Sequence, residues 1–509
     1  MTFPQAVIEI GSTGIRLLVA EITEDNKRNI LDRSELPVNI GRDVFTTGSI
    51  SKNTLLSAQK ILNRYGELLD SWQISRDDTT VVGTTAVREA LNRDTFVDRI
   101  KIKTGFNVRV IDGIEGNRLM YIAVTECLKE EEISVRQSNS IILEIAGGAT
   151  EMMLMEKGRM VGAHSMRLGT IIIDQQIRAM TGTLDDAHRI IEKFIQNTRF
   201  TLSTEMNLGK VQQFIALGSD MNLAALFAGR SISTFLWEIK RQDFENFVDE
   251  IQHYTEEECI AKFKLSYSEA KTFQLSLIAY KYFIQLTDVK SIIVPETSIR
   301  EGILISQHSD NRQDLQLEFT EQIIASATTL LRKYQGDEEH AMFVQETSLR
   351  LYDAMEKELG LNDRARLLLQ VSAILHDIGM FIREKDHNKH SKYIIMHSEI
   401  FGLSKEDVSL ISNIAYFHKG IETPQKNPEI KMLTRENRLT ILKLSAILRI
   451  ADALDRGHHQ NLKNFSLSFS KDTLTIRIKG HYNSSLEKLA LAEKGDLFEN
   501  VFGYSIAIV

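Results

Sequence analysis

The chain has few cysteines, few prolines and no excess of basic residues. Two of its 509 residues are cysteine, Cys127 and Cys259, so a disulfide framework or a CxxC metal site is excluded and a reducing, cytoplasmic location is expected. Five prolines argue against long structureless linkers. A formal charge of -8 provides no basic field, so we expect no nucleic-acid duplex as partner. No apolar run reaches membrane-spanning length, so no membrane partner is expected.

Composition and length indicate a soluble, multidomain protein. Hydrophobic residues make up 43% and charged residues 26%, which is typical of globular proteins, and 509 residues predict two to four domains. The polar stretch 306–314 is the best candidate for a linker. Alternating and helical patterns predict two α/β lobes over 1–128 and 129–305. They also predict an all-helical domain over 315–460 and a small α+β tail over 461–509.

The stretch 140–151 organises the first half of the chain. An apolar run that contains Glu144 leads into Gly147 and Gly148 and ends on Glu151, before a second apolar run. This pattern predicts strand, tight turn, strand. Glycines allow backbone N–H groups to approach a ligand, and carboxylates at both ends of a phosphate-binding loop suit Mg²⁺. The alternative is a plain β-hairpin with two solvated glutamates.

A second copy of the pattern lies near the N-terminus. Glu9 sits in an apolar run that breaks at Gly11, Ser12 and Thr13 and resumes at Ile15. Repeated units of this kind predict two related lobes that each offer one loop to a shared cleft. A phosphorylated ligand held between the two loops is the natural expectation.

Two further turns are candidates for anion binding. Arg88 follows a buried strand and the turn 83–85, which would place it in the first turn of a helix, within reach of an anion. The alternative is a surface arginine. Gly218 and Ser219 form another turn between a strand and a helix.

Histidines and aspartates cluster in the second half. His376 and Asp377 end an apolar helix, His340 precedes them, and Asp452 and Asp455 lie on a later apolar helix. His387, His390, His397 and His418 fall in the same region. Imidazole with carboxylate suits Mn²⁺, Fe²⁺, Ni²⁺ or Zn²⁺. The alternative is a set of core histidines and capping aspartates.

This region resembles the HD phosphohydrolase superfamily. The pattern of that superfamily is a histidine, a later His-Asp pair and a final aspartate, and His340, His376, Asp377 and Asp452 match it. The resemblance implies that these four residues bind a metal that polarises phosphate and activates water.

The whole chain resembles the exopolyphosphatase/guanosine pentaphosphate phosphatase family. The resemblance rests on the loop 9–16, the segment 84–92, the loop 144–151 and the turns at 168–169, 218–219 and 299–302. It implies two actin-like, sugar-kinase-like (ribonuclease-H-like) lobes around a cleft, a helical HD-like domain and a small tail. It also implies a homodimer and Mg²⁺-dependent release of terminal phosphate from polyphosphate or pppGpp.

The resemblance also implies roles for particular residues. Glu144 and Glu151 would hold Mg²⁺ and act in catalysis, and Glu115 is the further catalytic candidate, as a substitute for the general base. The phosphates would lie on the two loops and the nearby turns, at Gly11, Ser12, Thr13, Arg88, Gly147, Gly148, Ala149, Thr150, Gly218 and Ser219.

The chain departs from the family pattern at several of these positions. Glu9 and Glu144 replace aspartates, which shifts each carboxylate by about 1 Å or more. Asp220 adds a negative charge beside the Gly218 turn. Most seriously, Gly116 occupies the position of the family's proposed general base, so either Glu115 replaces that base or it is missing.

Three functions therefore stay open. The first is an active phosphatase, slow because of Gly116. The second is a regulatory protein that binds a phosphorylated ligand in a degenerate cleft. The third is a metal-dependent phosphohydrolase acting at the HD-like site. The sequence does not choose between polyphosphate and pppGpp.

Overall fold

A computed structural model describes residues 4–22, 28–135, 137–180, 182–307, 312–420, 423–462, 465–478 and 484–509. The chain divides into two compact units, Met1–Phe319 and Thr320–Val509. Within the first unit, two separate sheets each carry helices and a core. Among the described residues, no helix combines the length and apolar character needed to cross a bilayer.

The first sheet has five strands in the order β3-β2-β1-β4-β5. The β1–β2 hairpin is antiparallel, and β4 and β5 follow in parallel. Apolar side chains such as Ile8 and Leu17 are fully buried against the adjoining helices. The strands are β1 Gln5–Ile10, β2 Gly14–Ile22, β3 Arg28–Pro37, β4 Thr80–Gly83 and β5 Val108–Val110.

The second sheet has seven strands in the order β10-β11-β12-β9-β6-β7-β8. The hairpin β6–β7 is antiparallel, and β6 runs parallel to β9. Its core is separate from that of the first sheet and includes Phe214 and Tyr280. The strands are β6 Ser140–Ile145, β7 Thr150–Glu156, β8 Arg159–Met166, β9 Gln213–Leu217, β10 Arg230–Ser233, β11 Leu236–Lys240 and β12 Ser291–Pro295.

Helices connect the strands of both sheets. Ser51 caps α2 by accepting a hydrogen bond from the Thr54 N–H. The helices are α1 Ile40–Thr47, α2 Lys52–Ser71, α3 Thr85–Glu89, α4 Arg93–Thr104, α5 Gly113–Glu130, α6 Thr170–Ala179, α7 Leu184–Glu205, α8 Ser219–Ala228, α9 Arg241–Ile251, α10 Glu256–Phe263, α11 Tyr267–Gln285, α12 Ile299–Gln307 and α13 Arg312–Lys333, and a 3₁₀ turn covers Leu208–Lys210.

The second unit is helical and ends in a small sheet. Its long helices bury an apolar stripe, and α20 is the most enclosed of those described, with buried residues along almost its whole second half. The helices are α14 Glu338–Ala354, α15 Glu356–Leu359, α16 Asp363–Leu375, α17 His387–Met396, α18 Lys405–Tyr416, α19 Pro428–Lys431, α20 Arg435–Ala453, α21 Ser485–Lys494 and α22 Asp496–Phe502. The strands are β13 Phe465–Phe469, β14 Thr473–Ile478 and β15 Ser505–Ile508, and 3₁₀ turns cover Ile378–Phe381, Phe417–Lys419 and Pro424–Lys426.

Both predicted hairpins form, at 5–22 and at 140–156. The linker predicted at 306–314 stays a prediction. Residues 308–311 lie outside the described residues, and the flanking residues belong to α12 and α13. The two units divide between Phe319 and Thr320, inside α13.

Candidate active site

The first unit contains a cleft of about 390 Å³ between the two sheets. The loop after β1 and the loop after β6 both line it, as do the starts of α5, α8 and α12. Of the residues predicted from sequence to bind phosphate or Mg²⁺ in this half, the lining includes Gly11, Ser12, Thr13, Arg88, Glu144, Gly147, Gly148, Ala149, Glu151, Gly218 and Ser219. Thr150 is buried, and its hydroxyl donates to the Leu168 carbonyl at 2.6 Å instead.

The two loops approach each other at Gly147 and Ser12. A Cβ added to Gly147 would lie 3.2 Å from the Ser12 Cβ and 2.8 Å from Ile171 Cδ1. A Cβ added to Gly148 would lie 2.3 Å from the Phe45 ring. Glycine is therefore required here because side chains of both lobes pack against the loop backbone.

The cleft lining contains carboxylates and arginines close to one another. Glu144 and Glu151 are directly opposite each other across the β6–β7 hairpin, and Glu9 is opposite Arg16 across β1–β2. The Arg16 Nη1 and Arg300 Nε atoms each lie 3.6 Å from a Glu9 carboxylate oxygen. The two hairpins thus present their acids to one space.

Burial, together with the charges of Glu9 and Glu151, raises the pKa of Glu144 to about 7, against the opposing charges of Arg16 and Arg300. Like charges directly opposite each other on a sheet are destabilising. A divalent cation between these carboxylates would remove that repulsion, and carboxylate oxygens are the ligands that Mg²⁺ prefers. The donor set therefore fits Mg²⁺, with Glu144 and Glu151 as the residues that would hold it.

The sequence left open whether Glu115 replaces the family base or the base is missing, and the structure places Glu115 in ion pairs. Arg118 binds it in a two-point ion pair, and the Arg109 Nη1 lies 3.6 Å from its Oε1. The neighbouring Gly116 lines the cleft, whereas Glu115 is not part of the lining. A role for Glu115 as the base would require these ion pairs to break.

Arg88 is the fourth residue of α3, so it completes the first turn as predicted, and this turn overlaps the last one because the helix has only five residues. Its Nη1 donates to the Ile111 carbonyl and its Nη2 to the Thr85 hydroxyl, both at 3.2 Å. These acceptors are neutral oxygens, so the charge of Arg88 stays available to an anion in the cleft.

Tyr280 supports two of the loops, and sequence reasoning missed it. Its hydroxyl donates to the Leu217 carbonyl at 2.5 Å and accepts from the Ile145 N–H at 2.8 Å. Ile145 precedes the 146–149 loop and Leu217 precedes Gly218. One fully buried side chain thus joins the ends of β6 and β9. An amphipathic pattern on α11 gives no signal for this role.

The second unit gathers the predicted histidines and aspartates. The Nε2 atoms of His340 and His376 lie 3.3 Å apart. Asp377 Oδ2 lies 3.9 Å and 3.7 Å from these two atoms, respectively, and Asp452 Oδ1 lies 3.6 Å and 3.9 Å from them. All four predicted residues therefore face one point.

Asp377 also faces two further histidines. Its Oδ1 lies 3.2 Å from the Nε2 atoms of His387 and of His418, which are 3.0 Å apart. The described residues contain two groups of three potential metal ligands whose ligand atoms lie within 4.8 Å of one another. Both groups include Asp377. This donor set fits a transition metal on each side of the carboxylate.

Two contacts around this cluster were not predicted. Asp455 Oδ2 lies 2.8 Å from His340 Nδ1, which directs Nε2 towards the cluster. The buried Lys494 pairs with the other oxygen of Asp452. Asp452 is therefore held by a protein cation and lies outside the two groups built on Asp377. His390 and His397, also noted in the sequence, are not part of the cluster.

Known proteins match the chain along most of its length. The Ppx/GppA phosphatase family matches residues 18–310, and domain III of that phosphatase matches residues 324–496. The guanosine-5'-triphosphate,3'-diphosphate pyrophosphatase of Photobacterium profundum is 24% identical over 483 residues, which cover 93% of this chain and 91% of that protein. The protein of the same name from Vibrio vulnificus is 22% identical over 494 residues, covering 94% and 92%.

One solved structure has a similar fold. The exopolyphosphatase from Cytophaga hutchinsonii superimposes with a TM-score of 0.53 at 20% identity, covering 60% of this chain and 97% of that chain. The likeness shows an actin-like α/β fold with mixed sheets, as the sequence predicts.

Proposed function

The chain belongs to the Ppx/GppA phosphatase family, and from this premise we propose that its cleft hydrolyses terminal phosphoryl groups of guanosine pentaphosphate, inorganic polyphosphate or both. The observation that carries the proposal is the meeting of the two hairpin loops, with Glu144 and Glu151 opposite each other beside them. Relatives named as pyrophosphatases for the guanosine compound support the same chemistry.

Different residues of the cleft would bind the phosphates and the metal ion. Backbone N–H groups near Gly11–Thr13 and Gly147–Ala149 would bind the phosphates, and Arg88 would contact one of them. Glu144 and Glu151 would hold Mg²⁺, which when bound supplies charge neutralisation at the transferring phosphoryl group. Burial and the neighbouring acids raise the pKa of Glu144 to about 7, so its carboxylate exchanges a proton near neutral pH.

The missing carboxylate at Gly116 predicts slow turnover. A positioned general base typically contributes about 10²–10⁴-fold to a hydrolysis rate. Glu115, the acid next to Gly116, is held by Arg118 and Arg109 and does not line the cleft. If the loss of the base reduces the hydrolysis rate to zero, the cleft binds its phosphorylated ligand without hydrolysing it, and the protein is a regulatory binding protein.

A second candidate function resides in the helical unit. The shared geometry of His340, His376, Asp377, His387 and His418 supports a metal-dependent phosphohydrolase of the HD type, acting on a nucleotide or phosphomonoester. Mn²⁺, Fe²⁺ or Zn²⁺ would suit these ligands. A homodimer and a cytoplasmic location also stay predictions.

Phosphate release distinguishes the two sites. With Mg²⁺ and guanosine pentaphosphate or long-chain polyphosphate, we expect Glu151→Gln to lower the rate at least about tenfold, because the variant keeps the size of the side chain and removes its charge. Asp377→Ala serves as the matched variant of the other site and should leave that rate unchanged. The reverse result would transfer the activity to the helical unit.

A further inference from the structure

The first two turns of α5 present one face to the cleft. Four residues of the helix line it: Gly113, Gly116, Asn117 and Met120. Positions three and four residues apart lie on the same side of a helix, so the four form a single face. Among the described residues, a Cβ added to Gly116 meets no atom within 4 Å, and one added to Gly113 meets only the Ser165 hydroxyl, at 4.0 Å. The space in front of this face is therefore open to small molecules.

Asn117 brings an unpaired hydrogen-bond acceptor to this face. The residue is only 7% exposed, and its Oδ1 is buried with no hydrogen-bond partner among the described residues. No hydrogen bond of the described structure holds the side chain, so half a turn of the amide exchanges its oxygen and its nitrogen without loss. A buried amide oxygen without a donor does not stabilise the fold. Its donor must therefore come from what enters the cleft.

Water is the donor that fits a phosphate cleft. Phosphate groups are largely ionised at neutral pH and present acceptor oxygens, so they do not pair with an amide oxygen. Mg²⁺ also binds amide oxygens, but neighbouring ligands of one Mg²⁺ lie about 3 Å apart. In the described structure the Asn117 amide has no hydrogen bond to a carboxylate, which places it beside the predicted metal ligands and not among them.

The α5 face lies close to one of those metal ligands. Ser165 is opposite Glu151 across the β7–β8 pair, and its hydroxyl donates to Glu151 Oε1 at 2.8 Å. The same hydroxyl is the group nearest to a Cβ added to Gly113. Asn117 lies one helical turn beyond Gly113. A water bound to its amide would therefore lie next to the place where Glu151 would hold Mg²⁺ and the phosphoryl group.

We propose that Asn117 positions the water that attacks the terminal phosphoryl group, beside a Gly116 that supplies no base. The water donates one hydrogen to Oδ1, which directs a lone pair of its oxygen at phosphorus. The start of α5 carries the positive end of the helix dipole, which favours the water oxygen in this place. The inference rests on the proposed phosphatase function and adds a residue to the same reaction.

The reaction needs no proton acceptor on Asn117. The water oxygen bonds to the terminal phosphorus while the bond from phosphorus to the bridging oxygen breaks, and the bridging oxygen leaves with that electron pair. The amide takes no proton, so both protons of the water stay on the orthophosphate that is formed. Orientation without deprotonation accelerates hydrolysis less than a general base does, which agrees with slow turnover.

The test measures phosphate release from guanosine pentaphosphate and from inorganic tripolyphosphate, with Mg²⁺, by wild type, Asn117→Ala and Asn222→Ala. Tripolyphosphate has no nucleoside, so an effect on both substrates excludes a base or a ribose as the partner of Asn117. Asn222→Ala is the matched control. The Asn222 Oδ1 is likewise buried without a partner among the described residues and the residue lines the cleft, but it belongs to α8.

We expect Asn117→Ala to lower kcat about tenfold on both substrates and to leave KM within about twofold of wild type, because water loses its orientation while phosphate binding is kept. Asn222→Ala should keep the wild-type kcat, and both variants should keep the wild-type Tm, since neither loses a hydrogen bond. An unchanged kcat in Asn117→Ala, or an equal fall in Asn222→Ala, would overturn the proposal. So would a higher half-saturating Mg²⁺ concentration in Asn117→Ala, which would identify a metal ligand instead.

Asn117→Asp gives a readout that a structural asparagine would not change. The variant keeps the shape of the side chain and offers a carboxylate that can take a proton from the water. We expect the ratio of its kcat to the wild-type kcat to rise with pH and to reach at least about tenfold once the new carboxylate is ionised. Taking the ratio removes the titration of Glu144, which both proteins share. A ratio that does not vary with pH would show that position 117 does not contact the water.

Gly116→Glu separates this inference from the proposed function. If Gly116→Glu releases phosphate faster than wild type while Asn117→Asp does not, the cleft is a phosphatase site and Asn117 has no part in it. If wild type and all of these variants release no phosphate, the proposed function and the role of Asn117 are both refuted.

Discussion

Arg118 holds Glu115 in a two-point ion pair, with Nε 2.8 Å from Oε2 and Nη2 3.0 Å from Oε1. Burial acts to raise the pKa of Glu115, but the hydrogen bonds and charges of Arg118 and then Arg109 lower it overall. A lowered pKa weakens a carboxylate as a proton acceptor. We therefore expect the pair to keep Glu115, the acid next to Gly116, from acting as the general base.

We expect Glu115→Gln to change the rate of phosphate release from guanosine pentaphosphate by less than about threefold. The variant loses a partly exposed ion pair, which typically contributes about 0–1 kcal/mol to stability. Initial rates at saturating Mg²⁺ measure the effect, with Glu151→Gln as the comparison. A loss of one hundredfold would instead identify Glu115 as the base.

The raised pKa of Glu144 predicts a pH-dependent stability in the absence of Mg²⁺. The pKa rises from 4.5 to about 7 on folding, so the native state binds more protons than the unfolded state between these values. The free energy of unfolding should therefore fall as pH rises from about 5 to about 7, and it should then level off.

Urea titrations of wild type and Glu144→Gln across this range measure the contribution as a difference, which we expect to be on the order of 2 kcal/mol. Taking the difference removes the contributions of other groups, such as Asp220, whose pKa burial raises to about 6. Added Mg²⁺ should flatten the wild-type curve. If the difference in the free energy of unfolding does not vary with pH, the pKa of Glu144 is not raised on folding.

Tyr280→Phe should lower both stability and kcat. The variant removes the only side-chain hydroxyl that the described structure places between the Ile145 N–H and the Leu217 carbonyl, and buried groups left without partners cost about 1–3 kcal/mol. The substitution shifts the 146–149 loop and the Gly218 turn but removes no group that binds phosphate. We therefore expect kcat to fall by a larger factor than KM rises. Tyr282→Phe on the same helix is the matched control, since the Tyr282 hydroxyl bonds only a partly buried histidine, His188. Equal effects of the two substitutions would remove the special role of Tyr280.

Asp377→Ala should abolish metal binding in the helical unit. Asp377 is the residue shared by both groups of potential ligands, so its loss disrupts each. Elemental analysis after equilibration with Mn²⁺ measures metal per chain. His397→Ala is the control, because His397 is exposed and its ring bonds a backbone carbonyl of its own helix. The metal assignment fails if Asp377→Ala retains as much Mn²⁺ as wild type.

Local patterns in the sequence predicted those parts of the site that depend on neighbouring residues. The apolar runs on each side of Gly11 and Gly147 form hairpins, and Glu144 and Glu151 share a face because both strands alternate. The histidine cluster was predicted from four residues, whereas His387 and His418 join it through the packing of α16, α17 and α18. Spacing along the chain does not specify such packing.

The residues that were missed act at long sequence separation. Tyr280 lies 135 residues from Ile145, and Lys494 lies 42 residues from Asp452. Tyr280 and Lys494 each lie on a helix, and the apolar pattern of that helix accounts for the residue as an ordinary core or surface position. The pattern therefore gives no sign of the long-range contact. The ion pair that holds Glu115 has the reverse character: Arg118 is one helical turn away, and the spacing of three residues would have been enough to suggest it.

The central claim is that the cleft is an intact phosphatase site without its base. Gly116 lines the cleft, and a Cβ added to it meets no atom within 4 Å, so the backbone there accepts a side chain without a clash at its first atom. The most direct measurement is the initial rate of phosphate release from guanosine pentaphosphate with Mg²⁺ by wild type, Gly116→Glu and Gly116→Gln. We predict that Gly116→Glu is faster than wild type by about 10²-fold, in the range of a general base, and that Gly116→Gln, equal in size but unable to accept a proton, stays at the wild-type rate. Equal rates for all three proteins would contradict the account.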